Sequence, residues 1–123
     1  VVDALQPDNA KLETVISEVS GVPVIKAEGE IDACSANELK LAIDMAMETG
    51  ARDLIIDLGN VSYMDSNGFT ALFAATKQIK SRGGAVNLVA CNDSIKRLIK
   101  LTCLDSAMQT LETMDAALQL SAE

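Results

Sequence analysis

Between residues 53 and 82 the chain passes from one hydrophobic rhythm to another. Leu54-Ile55-Ile56, closed by Asp57-Leu58, is a continuous apolar run too short for a helix, and it predicts a buried strand of a parallel sheet. Beyond it Phe69, Leu72, Phe73, Thr76, Ile79 and Lys80 recur at helical spacing, with Lys77 and Gln78 turned outward. That helix is predicted to run to about Arg82 and to stop at Gly83-Gly84. Upstream, residues 14–19 and 22–28 are strand-like and separated by Ser20-Gly21, which predicts an antiparallel hairpin. Ile25 and Ala27 alternate there with Lys26 and Glu28, and Pro23 favours an edge or the beginning of the strand. Ser35-Ala36-Asn37-Glu38 has the spacing of a capping box. It opens a helix whose buried stripe is Leu39, Ala42, Ile43, Ala46 and Met47, with Gly50 as a left-handed stop. Residues 85–90 predict a further strand, and Asn92-Asp93-Ser94 caps a helix bearing Ile95, Leu98 and Ile99. A short extended piece at 108–111 follows, and then a last helix capped by Thr113 with Met114, Ala117 and Leu118 inward. This alternation predicts an α/β fold: one mixed, mainly parallel sheet of four to five strands, an N-terminal hairpin and about four helices. Residues 1–10 carry no periodic signal and are expected to be a flexible tail, leaving 11–123 as a single domain.

Composition narrows the function classes. With 123 residues, 49 % of them hydrophobic, the chain has enough apolar material for one core. Ten cations against 18 acids give a net charge of −8, and no basic stripe offers itself to phosphates, so direct nucleic-acid partners and anionic membranes are not expected. Lys77 to Arg82 reads instead as the solvated, cationic end of a helix. Cys34, Cys91 and Cys103 show no metal or redox spacing and fit small buried residues in a reducing cytoplasm. No apolar stretch reaches the roughly 18 residues that span a bilayer, so no direct membrane insertion is expected. The first residue is Val1 rather than methionine, which leaves a longer parent chain open.

The absence of histidine removes the usual general base and the commonest metal ligand, and Gly83-Gly84 lacks the Lys-Ser/Thr of a phosphate-cradling loop. Asp57 and Asp65 are conceivable as an acid/base pair, and Asp57 with Asp32 as part of a phosphoaspartate receiver, but no lysine follows the later strands to complete one. No enzyme activity, metal or cofactor is therefore expected. The junction Val61-Ser62-Tyr63-Met64-Asp65-Ser66-Asn67-Gly68 places a hydroxyl where a helix offers free N–H groups and a partial positive charge. Ser66 reads either as an N-cap or as the carrier of a phosphate, Asn67 is a second possible cap, and Gly68 either bares the backbone to a partner or is simply tolerated.

These residues resemble the STAS domains of bacterial anti-sigma factor antagonists. Val61 to Gly68 is similar to that family's central signature, and Gly29-Glu30-Ile31-Asp32 to its motif after the second strand. Arg82-Gly83-Gly84, Ile95-Lys96-Arg97-Leu98 and Leu101-Thr102-Cys103-Leu104 resemble its C-terminal half, so that the likeness covers roughly residues 12–120. The resemblance implies that Ser66 is a phosphorylation site and that Asp32, Asp65, Asn67 and Gly68 shape a partner contact. It implies that the unphosphorylated form binds an anti-sigma factor serine kinase and releases a sigma factor. Phosphorylation at Ser66 would break that complex, and a serine phosphatase would restore it. Asn67, Phe69 and Thr70 depart from the family's usual residues and alter the surface around the acceptor. A scaffold subunit of a lipid-transport or stress-sensing complex, without a switch, is the alternative.

Overall fold

The computed structural model describes residues 12–101 and 108–122. Five strands, β1 (Leu12–Val19), β2 (Val22–Ile31), β3 (Leu54–Met64), β4 (Val86–Val89) and β5 (Met108–Leu111), form one sheet in the order of the sequence. Four helices connect and follow them: α1 (Ala36–Met47), α2 (Ser66–Lys80), α3 (Asp93–Leu101) and α4 (Met114–Ala122). β1 and β2 pair antiparallel as the predicted hairpin, and every later pairing is parallel. The flexible tail expected at 1–10, like Cys103, lies outside the described residues.

Strand order decides where the helices go. From β2 to β5 each strand is laid beside the last in one direction, so right-handed crossovers place α1, α2 and α3 on the same face. The larger core cluster lies there: Leu39 and Ile43 of α1, Leu72 and Ile79 of α2, and Ile95 and Ile99 of α3 meet Ile25, Leu54, Ile56 and Leu88 of the sheet. Because side chains alternate along a strand, Val24, Ile55 and Val89 point the other way, where Ala117 of α4 covers them. Leu54-Ile55-Ile56 is buried throughout because both faces are covered at that level.

Several boundaries and contacts differ from the sequence expectation. β3 runs past Leu58 to Met64, and β2 past Glu28 to Ile31. Their shared half has one covered face, and β3 slips against β2 between Lys26/Glu28 and again between Gly29/Glu30, which scrambles the alternation of period two. Gly29 has φ 122°, a backbone state open to glycine at that irregularity. The capping box is not formed: Ser35 is buried, and its hydroxyl donates to the Glu30 carbonyl (2.7 Å) and accepts from the Asp32 N–H (2.9 Å) rather than capping α1. On α2, Ala75 belongs to the inward stripe, whereas Lys80 is exposed and Phe73 is 40 % exposed beneath the Lys77 ammonium, 4.9 Å from its ring. Leu98 likewise lies at the surface of α3. Gly50 takes the expected left-handed turn (φ 76°). Cys91 is buried, which pushes its thiol up to about 11, whereas Cys34 is exposed, contrary to the expectation for all three cysteines.

The loop between α2 and β4 has no room for a side chain. A Cβ on Gly84 would stand 1.7 Å from the Arg52 carbonyl oxygen, whereas one on Gly83 would meet nothing within 4 Å and only its φ of +78° would oppose it. Gly84→Ala is therefore expected to lower stability in urea unfolding by more than about 2 kcal/mol, through displacement of backbone. Gly83→Ala should cost about 1 kcal/mol.

Candidate functional site

β2 and β3 end side by side. Ile31 pairs with Met64, and the Asp65 N–H donates to the Ile31 carbonyl at 3.0 Å, one residue beyond the last pairing. Asp32 and Asp65 thus leave the sheet together at its carboxyl-terminal edge, the region where open α/β sheets carry their sites.

The turn after β3 is built on Asp65. Its backbone is extended (φ −103°, ψ −170°), and its carboxylate accepts the Asn67 N–H at 2.8 Å. Asp65, not Ser66 or Asn67, is therefore the N-cap of α2, and its charge also suits the positive end of the helix. The Asn67 amide donates to the other carboxylate oxygen at 3.4 Å. Ser66 becomes the first helical residue; it is exposed, and its hydroxyl has no hydrogen-bond partner among the described residues. Its carbonyl accepts the Thr70 hydroxyl at 3.0 Å.

Asp32 is tied into its own turn. Its carboxylate accepts from the Cys34 N–H (2.9 Å) and the Ser35 N–H (3.2 Å), and its carbonyl from the Ala36 N–H (2.8 Å), so it shapes the path from β2 into α1 while remaining half-buried. Gly68 faces inward. A Cβ there would lie 2.5 Å from Met64 Cγ and 2.8 Å from Ile31 Cγ2, so its bare backbone lets α2 settle onto the ends of β2 and β3 rather than meeting a partner directly. Beside Ser66, Ala36, Asn37 and Lys40 of α1 face Asn67, Thr70 and Ala71 of α2 across a groove of about 230 Å³. Phe69 is buried under this surface.

The structure separates Asp57 from these residues. It lies in the middle of β3, in register with Lys26 and Val89, and accepts the Gly59 N–H at 2.9 Å. At about 3.3 Å per strand residue it stands roughly 25 Å from Asp65. The two cannot act as an acid/base pair. Among the described residues no group of three or more acidic or cysteine side chains could hold a metal, and no helix is long and apolar enough to cross a membrane.

Tyr63 was not anticipated. It is 52 % exposed on β3, paired with Glu30 and three residues before Ser66, in a chain that is 2 % aromatic. That scarcity within the signature was the available signal.

The family model of the STAS domain matches residues 13–117. The chain belongs to the STAS domain family. This STAS domain is 31 % identical over 88 residues to the anti-sigma-B factor antagonist of Staphylococcus aureus, spanning 72 % of the chain and 82 % of that protein. To the anti-sigma-B factor antagonist of Listeria monocytogenes it is 35 % identical over 81 residues, 66 % of the chain and 71 % of that protein. An anti-sigma factor antagonist from Mycobacterium paratuberculosis has a crystal structure that superposes with a TM-score of 0.84 at 30 % identity, covering 96 % of the chain and 98 % of that one. These relatives carry the names of regulators, not of enzymes.

The cap assignment predicts unequal effects from neighbouring substitutions. Asp65→Ala should cost about 1 kcal/mol in urea unfolding, whereas Ser66→Ala should stay within about 0.5 kcal/mol of the parent. Gly68→Ala should cost about 1–3 kcal/mol by forcing Met64 and Ile31 aside.

Proposed function

We propose that this STAS domain is an anti-sigma factor antagonist of the cytoplasm, switched by phosphorylation of Ser66. The observation that carries the reading is the Ser66 hydroxyl: exposed, without a hydrogen-bond partner among the described residues, and held at the first position of α2 beside the Asp65 carboxylate. In the unmodified state the edge formed by Asp32, Asp65, Asn67 and Ser66 docks on an anti-sigma factor that is itself a serine kinase, and a sigma factor is released. Gly68 contributes from below by fixing the depth at which α2 sits. A serine phosphatase returns the modified protein to the binding state. The relatives named as anti-sigma-B factor antagonists support the partner class.

Charge supplies the switch. A phosphate adds about −1.5 to −2 at Ser66. That charge arrives next to Asp65 on a chain whose net charge is already −8. An uncompensated like charge inside an interface costs several kcal/mol, and about 3 kcal/mol is a change of more than a hundredfold in affinity. The Asp65 carboxylate already holds the Asn67 N–H, so the phosphate meets a helix end whose nearest charge is negative.

The test is intact mass after incubation with ATP, magnesium and the candidate serine kinases of the source organism. A gain of one phosphoryl group in the parent but none in Ser66→Ala is expected. If the candidate kinases bind but modify neither protein, the switch is wrong and a scaffold role takes its place.

A further inference from the structure

The charge on this protein is unevenly distributed. Of ten cations in an acidic chain, Lys96, Arg97 and Lys100 lie on the nine residues of α3. Spacings of three and four residues bring Lys100 onto the same flank as Lys96 and Arg97. Together with Asp93 and Thr110 of β5 they line a groove of about 400 Å³. β5 is the last strand of the sheet, so its outer edge pairs with no described strand. Thr110 pairs with Leu88, whose side chain belongs to the cluster under α1 to α3, so Thr110 faces the same side as α3 and is exposed there. A helix beside an outer strand edge, with a groove between them, is the arrangement that receives an added strand.

We propose that the groove between α3 and the outer edge of β5, which pairs with no described strand, is a second docking site, which takes an extended acidic segment of a protein partner. Charge complementarity selects the occupant. Glu112 at the end of β5 already reaches the Lys96 ammonium, raising its pKa through the hydrogen bond, and it shows the kind of group the flank accepts. Arg97 and Lys100 have no carboxylate partner among the described residues. Leu101, 72 % exposed at the end of the same helix, offers apolar contact beside the cations. Asp93 bounds the basic stretch at the other end. At physiological salt, charges more than about 8 Å away are largely screened, so the flank attracts acidic chains despite the protein's net charge. This site is independent of phosphorylation at Ser66.

The test uses the full chain and a labelled, end-capped peptide alternating Glu and Val, with a Lys-Val peptide as control, followed by fluorescence anisotropy. The Glu peptide should bind in a salt-sensitive way and shift the amide resonances of Met108–Leu111. Arg97→Glu with Lys100→Glu, both at the surface, should weaken it by at least about tenfold. Glu112→Gln should strengthen it by freeing Lys96. Equal binding of the Lys peptide, unchanged affinity in the folded double variant, or binding of phosphatidylserine vesicles without binding of the peptide overturns the proposal, the last in favour of an anionic membrane surface.

Discussion

One hydrogen bond, from the Asp65 N–H to the Ile31 carbonyl, closes the pairing of β2 with β3 and aligns two turns that are far apart in sequence. Parallel pairing makes this possible, because both strands then end at the same edge of the sheet. From that alignment follows the rest of the site. Asp32 turns the chain into α1, Asp65 turns it into α2, and Gly68 lets α2 lie against Ile31 and Met64. A slip of one residue would turn Ile31 or Met64 away from the core face, so burial of both holds the register.

The edge has two kinds of acid. Asp32 directs its carboxylate into its own loop, while Asp65 directs its carboxylate onto the first turn of α2. Both therefore fix backbone, and both leave negative charge near the surface beside Ser66. On the proposed reading, the unmodified edge is a rigid shape with a hydroxyl at its centre, and the phosphate changes charge more than shape. Such a switch needs no refolding, because α2 is anchored below by Phe69, Leu72 and Ile79. The basic flank of α3 is separate in chemistry, and gives an acidic protein one place that attracts acidic partners.

Much of this architecture was legible from spacing alone. The stripe Leu39, Ala42, Ile43, Ala46 and Met47 is buried as the helical period requires, and the hairpin turns at Ser20-Gly21. Strand lengths were not legible, because the far halves of β2 and β3 are covered on one face and slip against each other, so polar positions there obey no single period. Ser35 misled because a buried serine serves the contacts of its fold before its cap: Glu30 and Asp32 engage its hydroxyl. Phe73 misled because the pattern fixes a stripe only to within about 100°. At Asp65-Ser66-Asn67 any of three residues had capping chemistry, and only the extended backbone of Asp65 decides among them. Gly68 could not be read as a packing residue without knowing that Ile31 and Met64 lie beneath it.

The central claim is that charge at Ser66 governs docking of the edge that Asp32 and Asp65 build. Its most direct test is calorimetric measurement of Kd for the cognate anti-sigma factor, with unmodified and Ser66-phosphorylated protein side by side. Weakening by about a hundredfold or more on phosphorylation is the result predicted. Equal affinity of the two forms would contradict it.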